Sequence, residues 1–390
     1  MCLCFLSLAM TWARPLTERA KVSLLTSSPY EAEVFTVYGH AALRINDPGQ
    51  SIDIVFNYGL FNFNKPFFIY RFASGETDYM LGAINYSDYI VEYQMRGSTV
   101  TEQILNLTAE EKEAIWLALQ ENYKPENREY RYNFFFDNCA TRPVALIEKN
   151  VAGNVDYSGW KADSLSFRDM INDCTRNKPW LTFGCDLALG SPTDRMATKH
   201  ETMFLPMLLK DAFEKAEIVG EDGTKRKLVE ETIVLPAEPD EAEKTVVTPL
   251  VAAILLLVFF VALSLLEVRT NRYFAVVDGL LFFVAGIGGC ILFFLCFVSE
   301  HPCTCPNWNL IWIQPLHLLS PILYVVKKWR KVFYYYHFIN FVAILLFVLC
   351  CSFIPQHFNM AVIPLAFSLL LRSGMALYRA KSENRTLANR

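Results

Sequence analysis

An apolar run from residue 247 to 267, uncharged until Glu267, constrains this chain more than any other feature of it. About 20 such residues cross a hydrocarbon core as a helix, and in lipid only elements that satisfy their own backbone hydrogen bonds can span. Similar runs follow at 274–298, 308–326, 337–354 and 359–379, with Asp278, His317 and Arg372 as ionisable interruptions. The expectation is an all-α membrane domain of five helices over 247–379. These runs explain why 53% of the residues are apolar and only 19% charged, a balance too greasy for an ordinary soluble enzyme.

Orientation follows from the short loops, because Lys and Arg accumulate on the cytoplasmic side. Arg269 and Arg272 follow the first run, Lys327, Lys328, Arg330 and Lys331 follow the third, and Arg379, Lys381, Arg385 and Arg390 sit at the tail. The alternate loops, SEHPCTCPN (299–307) and PQHF (355–358), carry neither Lys nor Arg. This places the tail, 380–390, in the cytoplasm and everything before the first run on the other side of the membrane. The opening stretch, residues 1–13, resembles the core and cleavage region of a secretory signal, though without a basic n-region. A domain over 14–235 and an acidic, Pro-rich linker over 236–246 complete the expected organisation.

The domain reads as α+β. Residues 33–45 and 51–59 are rich in β-branched and aromatic side chains and flank Asn46, Asp47, Pro48 and Gly49, the chemistry of a turn between two strands. A second strand pair is expected in YIVEYQM (89–95) and STVTEQILNL (98–107), broken at Gly97. Thr108 with Glu111 forms a capping box for a helix carrying Ile115, Ala118, Leu119 and Tyr123 at helical spacing. Val219 and Lys227 bracket a polar hairpin turn.

Three cysteines fall in this domain: Cys139, Cys174 and Cys185. An odd number in an oxidising compartment leaves one thiol to explain, and Cys174 with Cys185 is one available pairing. Cys303 and Cys305, one residue apart, would strain a mutual disulfide. Cys139 follows Asp137 and Asn138 and precedes Pro143, Val144, Leu146 and Ile147, so it stands at a helix start. Unpaired N–H groups and the partial positive charge there lower a thiol pKa and hold an oxyanion; Asn138 and Ala140 are the supporting positions. A buried structural thiol is the competing reading. His40 follows Gly39 on a strand and is the candidate base, with His301 as a rival; Asn57 is the candidate orienting group, with Asp53 competing. Thiol, base and orienting group together are the recipe for covalent acyl transfer.

YGHAALRI (38–45), FNYGLFNF (56–63), the run from PENR to DNCATR (125–142), FLP (204–206) and EHPCTCPNWNLIW (300–312) resemble the Lnb-type lipoprotein N-acyltransferases of Bacteroides-like bacteria over nearly the whole chain. The resemblance implies a permuted papain-like (NlpC/P60-like) domain in which His precedes Cys, with Cys139 as nucleophile and His40 as base. It implies transfer of an acyl chain from a membrane phospholipid, through a Cys139 thioester, to the α-amine of a lipoprotein's lipidated N-terminal cysteine. A membrane-anchored cysteine peptidase or amidase and a non-catalytic scaffold are the alternatives. Glu300, His301, Asn309, Gln314 and His317 fall near the outer surface and are candidates for a substrate path. No metal or cofactor is expected, since the chain has no Gly-rich phosphate loop and no His/Cys ligand set beyond the CTC of 303–305. A net charge of −4 argues against a nucleic-acid partner.

Overall fold

The computed structural model describes residues 14–30, 36–61, 66–161, 164–238 and 245–388; the signal-like stretch 1–13 and most of the acidic linker lie outside the described residues. Two compact units emerge, one from residues 1–165 and 196–243, the other from 166–195 and 244–390. The strands are β1 (Lys21–Ser27), β2 (His40–Asp47), β3 (Ile52–Phe61), β4 (Asp78–Asn85), β5 (Val100–Leu105), β6 (Glu129–Arg131), β7 (Asn154–Asp156), β8 (Glu217–Val219), β9 (Lys225–Lys227) and β10 (Val229–Leu235). The helices up to the membrane runs are α1 (Phe68–Ala73), α2 (Tyr86–Met95), α3 (Ala109–Tyr123), α4 (Thr141–Asn150), α5 (Phe167–Thr175), α6 (Pro179–Ala188), α7 (Lys199–Thr202) and α8 (Pro206–Lys215).

The first unit is built on an antiparallel seven-stranded sheet in the order β10-β5-β1-β2-β3-β4-β6, with β7, β8 and β9 forming a small second sheet. The expected hairpin forms between β2 and β3, pairing Leu43 with Phe56 and Ile45 with Ile54. Its turn is held by the Asp47 carboxylate, which accepts from the Thr17 and Gly49 N–H groups at 2.8 and 3.0 Å. Alternation along the strands splits the apolar residues between two faces. Leu24, Leu43, Ile45, Ile54 and Phe56 pack with Trp116 and Leu119 of α3 and Val144 and Ile147 of α4. Leu25, Ala42 and Val55 pack on the opposite face with Tyr89 and Tyr93 of α2. Each such fully buried side chain contributes roughly 1.5–3 kcal/mol. The Thr108–Glu111 capping box is formed in both directions, at 3.3 and 2.8 Å.

Residues 89–95, expected as a strand, are the body of α2 instead. Their aromatic content favours a sheet, but Tyr89 and Tyr93, one turn apart, are both buried by the helical conformation.

The second unit contains α5 and α6 together with α9 (Pro249–Thr270), α10 (Ala275–Phe297), α11 (Leu319–Val325), α12 (Arg330–Cys350) and α13 (Val362–Ala388). The α5–α6 hairpin thus groups with the membrane runs, although it precedes the expected boundary by some 60 residues. Buried Arg168 explains its shape: the guanidinium meets Asp194 at 2.8 Å, Asp186 at 3.2 Å and the carbonyls of Leu189 and Gly190 at 2.9 and 3.0 Å. Asp186 in turn accepts from Asn359 at 2.9 Å, and the Gly190 N–H donates to the Cys303 carbonyl at 2.8 Å. Cys174 and Cys185 are not joined to each other in a disulfide here.

Among the described residues four helices are long and apolar enough to cross a membrane: Pro249–Thr270, Ala275–Phe297, Arg330–Phe353 and Val362–Lys381. The run at 308–326, expected as a fifth continuous helix, is broken into 3₁₀ turns at Trp308–Ile311 and Pro315–Leu318 followed by the short α11. Pro315 cannot donate the helical hydrogen bond and clashes with a preceding turn. The broken segment runs along α10 from Thr304, bonded to the Leu295 carbonyl at 2.7 Å, to Tyr324, bonded to Asp278 at 3.1 Å. Two glycines allow the approach: a Cβ on Gly289 would stand 2.2 Å from Gln314 and one on Gly286 2.7 Å from Leu318.

Asp278 and Arg372, ionisable interruptions of their apolar runs, are both fully buried. Arg372 bonds Asp278, Glu267 at 2.9 Å and Ser264 at 2.8 Å, while the Tyr273 hydroxyl donates to Asp278 at 2.8 Å. Removing the cation leaves buried Asp278 without one and Glu267 with only Arg379, at 3.8 Å. Arg372→Met is expected to lose about 3–5 kcal/mol in unfolding titrations of the detergent-solubilised protein. Neutralising Glu267 and Asp278 in the same chain should restore most of that loss.

Candidate active site

His40 opens β2 directly after Gly39, whose φ of 75° lies in the left-handed region. A Cβ there would come within 2.7 Å of the Ser27 carbonyl, so only glycine lets the strand begin flush against β1. Asn57, on the neighbouring β3, accepts a hydrogen bond at Oδ1 from His40 Nε2. A neutral ring that donates from Nε2 presents Nδ1 as its basic nitrogen. Asp53, the competing orienting group, is engaged elsewhere: Arg44 grips it at 2.7 and 2.8 Å while also bonding Glu102. On the other side of the imidazole, Tyr93 stacks at 6.3 Å between ring centroids.

Cys139 lies in the turn before α4, buried with 8% of its surface exposed. Asn133 shapes the entry to this turn by accepting from the Phe135 and Phe136 N–H groups at 3.2 and 3.1 Å. Asn138 shapes the exit: its Oδ1 accepts from the Ala140 and Thr141 N–H groups at 2.8 and 2.9 Å, and its Nδ2 donates to the carbonyls of Phe134 and Phe204 at 2.7 and 2.9 Å. The Asn138 N–H itself donates to Thr141 Oγ1 at 2.8 Å. This corrects the expectation that the Asn138 and Ala140 amides are open to an oxyanion. An asparagine cap satisfies the helix start from within, and these two residues hold the turn that carries Cys139.

The His40 ring hydrogen-bonds the Cys139 thiol, which also receives the Ala41 N–H and the Tyr132 hydroxyl. Burial pushes the thiol pKa up, but the His40 charge and these hydrogen bonds outweigh it, leaving Cys139 below the ordinary thiol value. Burial likewise works against a charged His40, and the thiolate and Asn57 outweigh it, so His40 rises above the ordinary imidazole value. Opposite shifts of this kind favour a thiolate–imidazolium pair.

Sequence reasoning did not single out Tyr132 or Gly59. The strand β3 bulges between Asn57 and Leu60, and Gly59, at φ 89°, makes room there. A Cβ on it would stand 3.3 Å from the Tyr132 ring and 3.7 Å from Cys139 Cβ. The available signals were the glycine two positions after Asn57 and the tyrosine seven before Cys139.

The residues considered for a substrate path lie in the second unit. Asn309 is buried, with Oδ1 accepting from Trp312 Nε1 at 3.0 Å and Nδ2 facing the Asp186 carbonyl at 3.3 Å. Gln314 donates to Asn340 at 3.3 Å. His317 is buried with both ring nitrogens engaged, by the Tyr336 hydroxyl at 2.8 Å and the Trp312 carbonyl at 3.0 Å. Glu300 is exposed and His301 half-buried on the loop between α10 and the broken segment. The imidazole beside the thiol is that of His40, not His301. Among the described residues no group of three or more His, Cys, Asp or Glu side chains is arranged to hold a metal ion.

An imidazole, an amide and a buried thiol, in this chain order, on the domain preceding a set of membrane helices can be compared with known families. Residues 11–171 match the family model described as the Lnb N-terminal periplasmic domain, and residues 241–384 match the one described as the Lnb transmembrane domain. The chain is an Lnb-type protein. No curated protein and no solved structure matches it. As an Lnb-type protein it is a multi-pass membrane protein with a periplasmic N-terminal domain. Membership in the Lnb family connects it with lipoprotein biosynthesis and is consistent with an enzyme of lipoprotein maturation.

Proposed function

We propose that this Lnb-type protein is a lipoprotein N-acyltransferase with a permuted papain-like periplasmic domain and a cytoplasmic C-terminus. The observation that carries the reading is the contact of Cys139 with the His40 ring, itself held by Asn57, in the domain that family membership assigns to the periplasm. In the first half-reaction the Cys139 thiolate attacks an ester carbonyl of a phospholipid. The carbon–sulfur bond forms, the ester carbon–oxygen bond breaks, and the lysophospholipid alkoxide leaves with the proton of the His40 imidazolium. In the second, the α-amine of a lipoprotein's N-terminal cysteine attacks the thioester, His40 takes the amine proton, and the thiolate departs as the amide forms. A thiolate is both a good nucleophile and a good leaving group, so one residue serves both halves.

Each half passes through a tetrahedral oxyanion. With the Asn138 and Ala140 amides engaged, the Cys139 N–H and the Tyr132 hydroxyl are the donors we assign to it. Tyr132→Phe, which keeps the ring and removes the donor, is expected to lower the acylation rate constant about 10²-fold, with little change in KM; an unchanged rate constant would exclude this role.

The reading is tested on a lipoprotein's N-terminal peptide from cells with the protein and from cells lacking it, by mass spectrometry. The expected result is an N-acyl group in the first and a free α-amine in the second. The same N-acyl group in both would sink the proposal.

A further inference from the structure

Helix α1 and its N-cap residue Phe67 display large apolar side chains to solvent: Phe67 is 81% exposed, Ile69 83%, Tyr70 61% and Phe72 46%. Single exposed apolar residues are ordinary. Four within six positions form a patch of the kind that marks a binding surface. The patch is also held in place. Arg71, from the same helix, meets Asp78 at 2.6 Å and Glu76 at 3.1 Å, and Arg131 braces Asp78 at 3.0 Å. Gly75, at φ 81°, turns the chain back so that the Glu76 N–H reaches the Arg71 carbonyl at 2.8 Å.

From the base of this patch a line of aromatic rings leads to the thiol. Phe72 lies 6.5 Å from Phe61, Phe61 4.3 Å from Tyr79, and Tyr79 is stacked on Tyr132 at 4.2 Å. The Tyr132 ring and Cys139 Cβ then share the space left by Gly59. The patch and the candidate nucleophile are thus the two ends of one apolar track within one unit.

We propose that α1 is a lipid-docking element: its apolar side chains enter the acyl region of a leaflet, and the track from Phe72 to Tyr132 receives the acyl chain delivered to Cys139. This rests on the acyltransferase reading for the delivery, and on the patch alone for the docking. The occupant follows from charge as well as apolarity. Arg71, the charged residue of α1, and Arg131 are answered by Asp78 and Glu76, two cations against two carboxylates, so the patch offers hydrocarbon contact with no net charge to select an acidic or basic peptide. A domain whose chain continues into membrane helices works beside lipid, where exposed Phe, Ile and Tyr at one tip insert favourably.

Docking is tested with the full chain in phosphatidylethanolamine–phosphatidylglycerol vesicles, with photoreactive benzoylphenylalanine introduced at Ile69 or, as control, at exposed Lys225 on β9. Lipid adducts at position 69 and none at 225 are expected. Adducts at 69 to protein alone, or equal lipid adducts at both positions, overturn the proposal. Delivery is tested with Phe67→Ser, Ile69→Ser and Tyr70→Ser combined. Thioester formation from long-chain phospholipid should fall about tenfold or more, while alkylation of Cys139 by iodoacetamide stays at the wild-type rate and reports an intact site. A combined variant that forms thioester as fast as wild type sinks delivery and leaves the acyltransferase reading standing. A wild-type protein that forms no thioester from phospholipid sinks that reading and delivery with it, while the crosslinks still decide docking.

Discussion

Cys139→Ala is expected to lower lipoprotein N-acylation by at least about 10⁴-fold, the scale of losing a covalent nucleophile. The measurement with most discrimination isolates the first half-reaction. Full-length protein incubated with phospholipid vesicles and no acceptor should accumulate an acyl group on the peptide containing Cys139, and neutral hydroxylamine should release it as a thioester. In Cys139→Ala the adduct disappears; in Cys139→Ser any residual adduct is an oxyester and resists that treatment. Cys174 serves as an internal control, since burial pushes its pKa up to about 11 and makes it a poor nucleophile near neutral pH. An adduct on another cysteine, or full N-acylation by Cys139→Ala, would refute the assignment. The fold is expected to survive the substitution: Cys139 packs at the edge of a core built by Leu24, Phe56, Trp116 and Ile147, and removing one sulfur leaves those contacts in place.

How far such a site is legible in sequence depends on whether the information is local. The β2–β3 turn, the Thr108–Glu111 cap and the helix start at Cys139 are set by residues within a few positions of one another, and each was readable. The strand expected at 89–95 fails because the burial of Tyr89 and Tyr93 against Leu25 and Val55 is decided by the sheet, not by the segment. Apolarity at 308–326 says nothing of helical continuity, and there Pro315 and the packing surface offered by Gly286 and Gly289 decide. The same distinction separates Asn57 from Asp53. Both are polar residues of one strand, and only the cross-strand pairing of Asp53 with Arg44 shows which is available to His40. Oxyanion support was misassigned for a related reason: a helix start has unpaired N–H groups in general, and this one carries its own asparagine acceptor. Tyr132 was invisible because its reach to Cys139 runs across the β3 bulge at Gly59.

The pairing of His40 with Cys139 makes a further prediction whose sign is fixed by the opposing causes at the thiol. In the wild-type protein the His40 charge and hydrogen bond outweigh burial, so the thiolate persists below the ordinary thiol pKa; the alkylation rate with iodoacetamide should therefore rise through an inflection on the acid side of that value. Acyl transfer from phospholipid needs the His40 proton for the departing alkoxide as well. Its rate should climb as Cys139 ionises and fall as the pH passes the raised His40 value, giving a bell. Replacing His40 with Ala removes the leading favourable influence and leaves burial dominant, so the alkylation inflection should move to the alkaline side of the ordinary thiol value. Acyl transfer should drop by about 10³-fold with loss of the proton carrier. Asn57→Ala retains the imidazole but frees its orientation, and should lie between the two, with a smaller alkaline shift and a bell that survives. An inflection unmoved by His40→Ala would mean that the thiol is tuned by the Ala41 N–H and the Tyr132 hydroxyl instead, and that His40 is not its base.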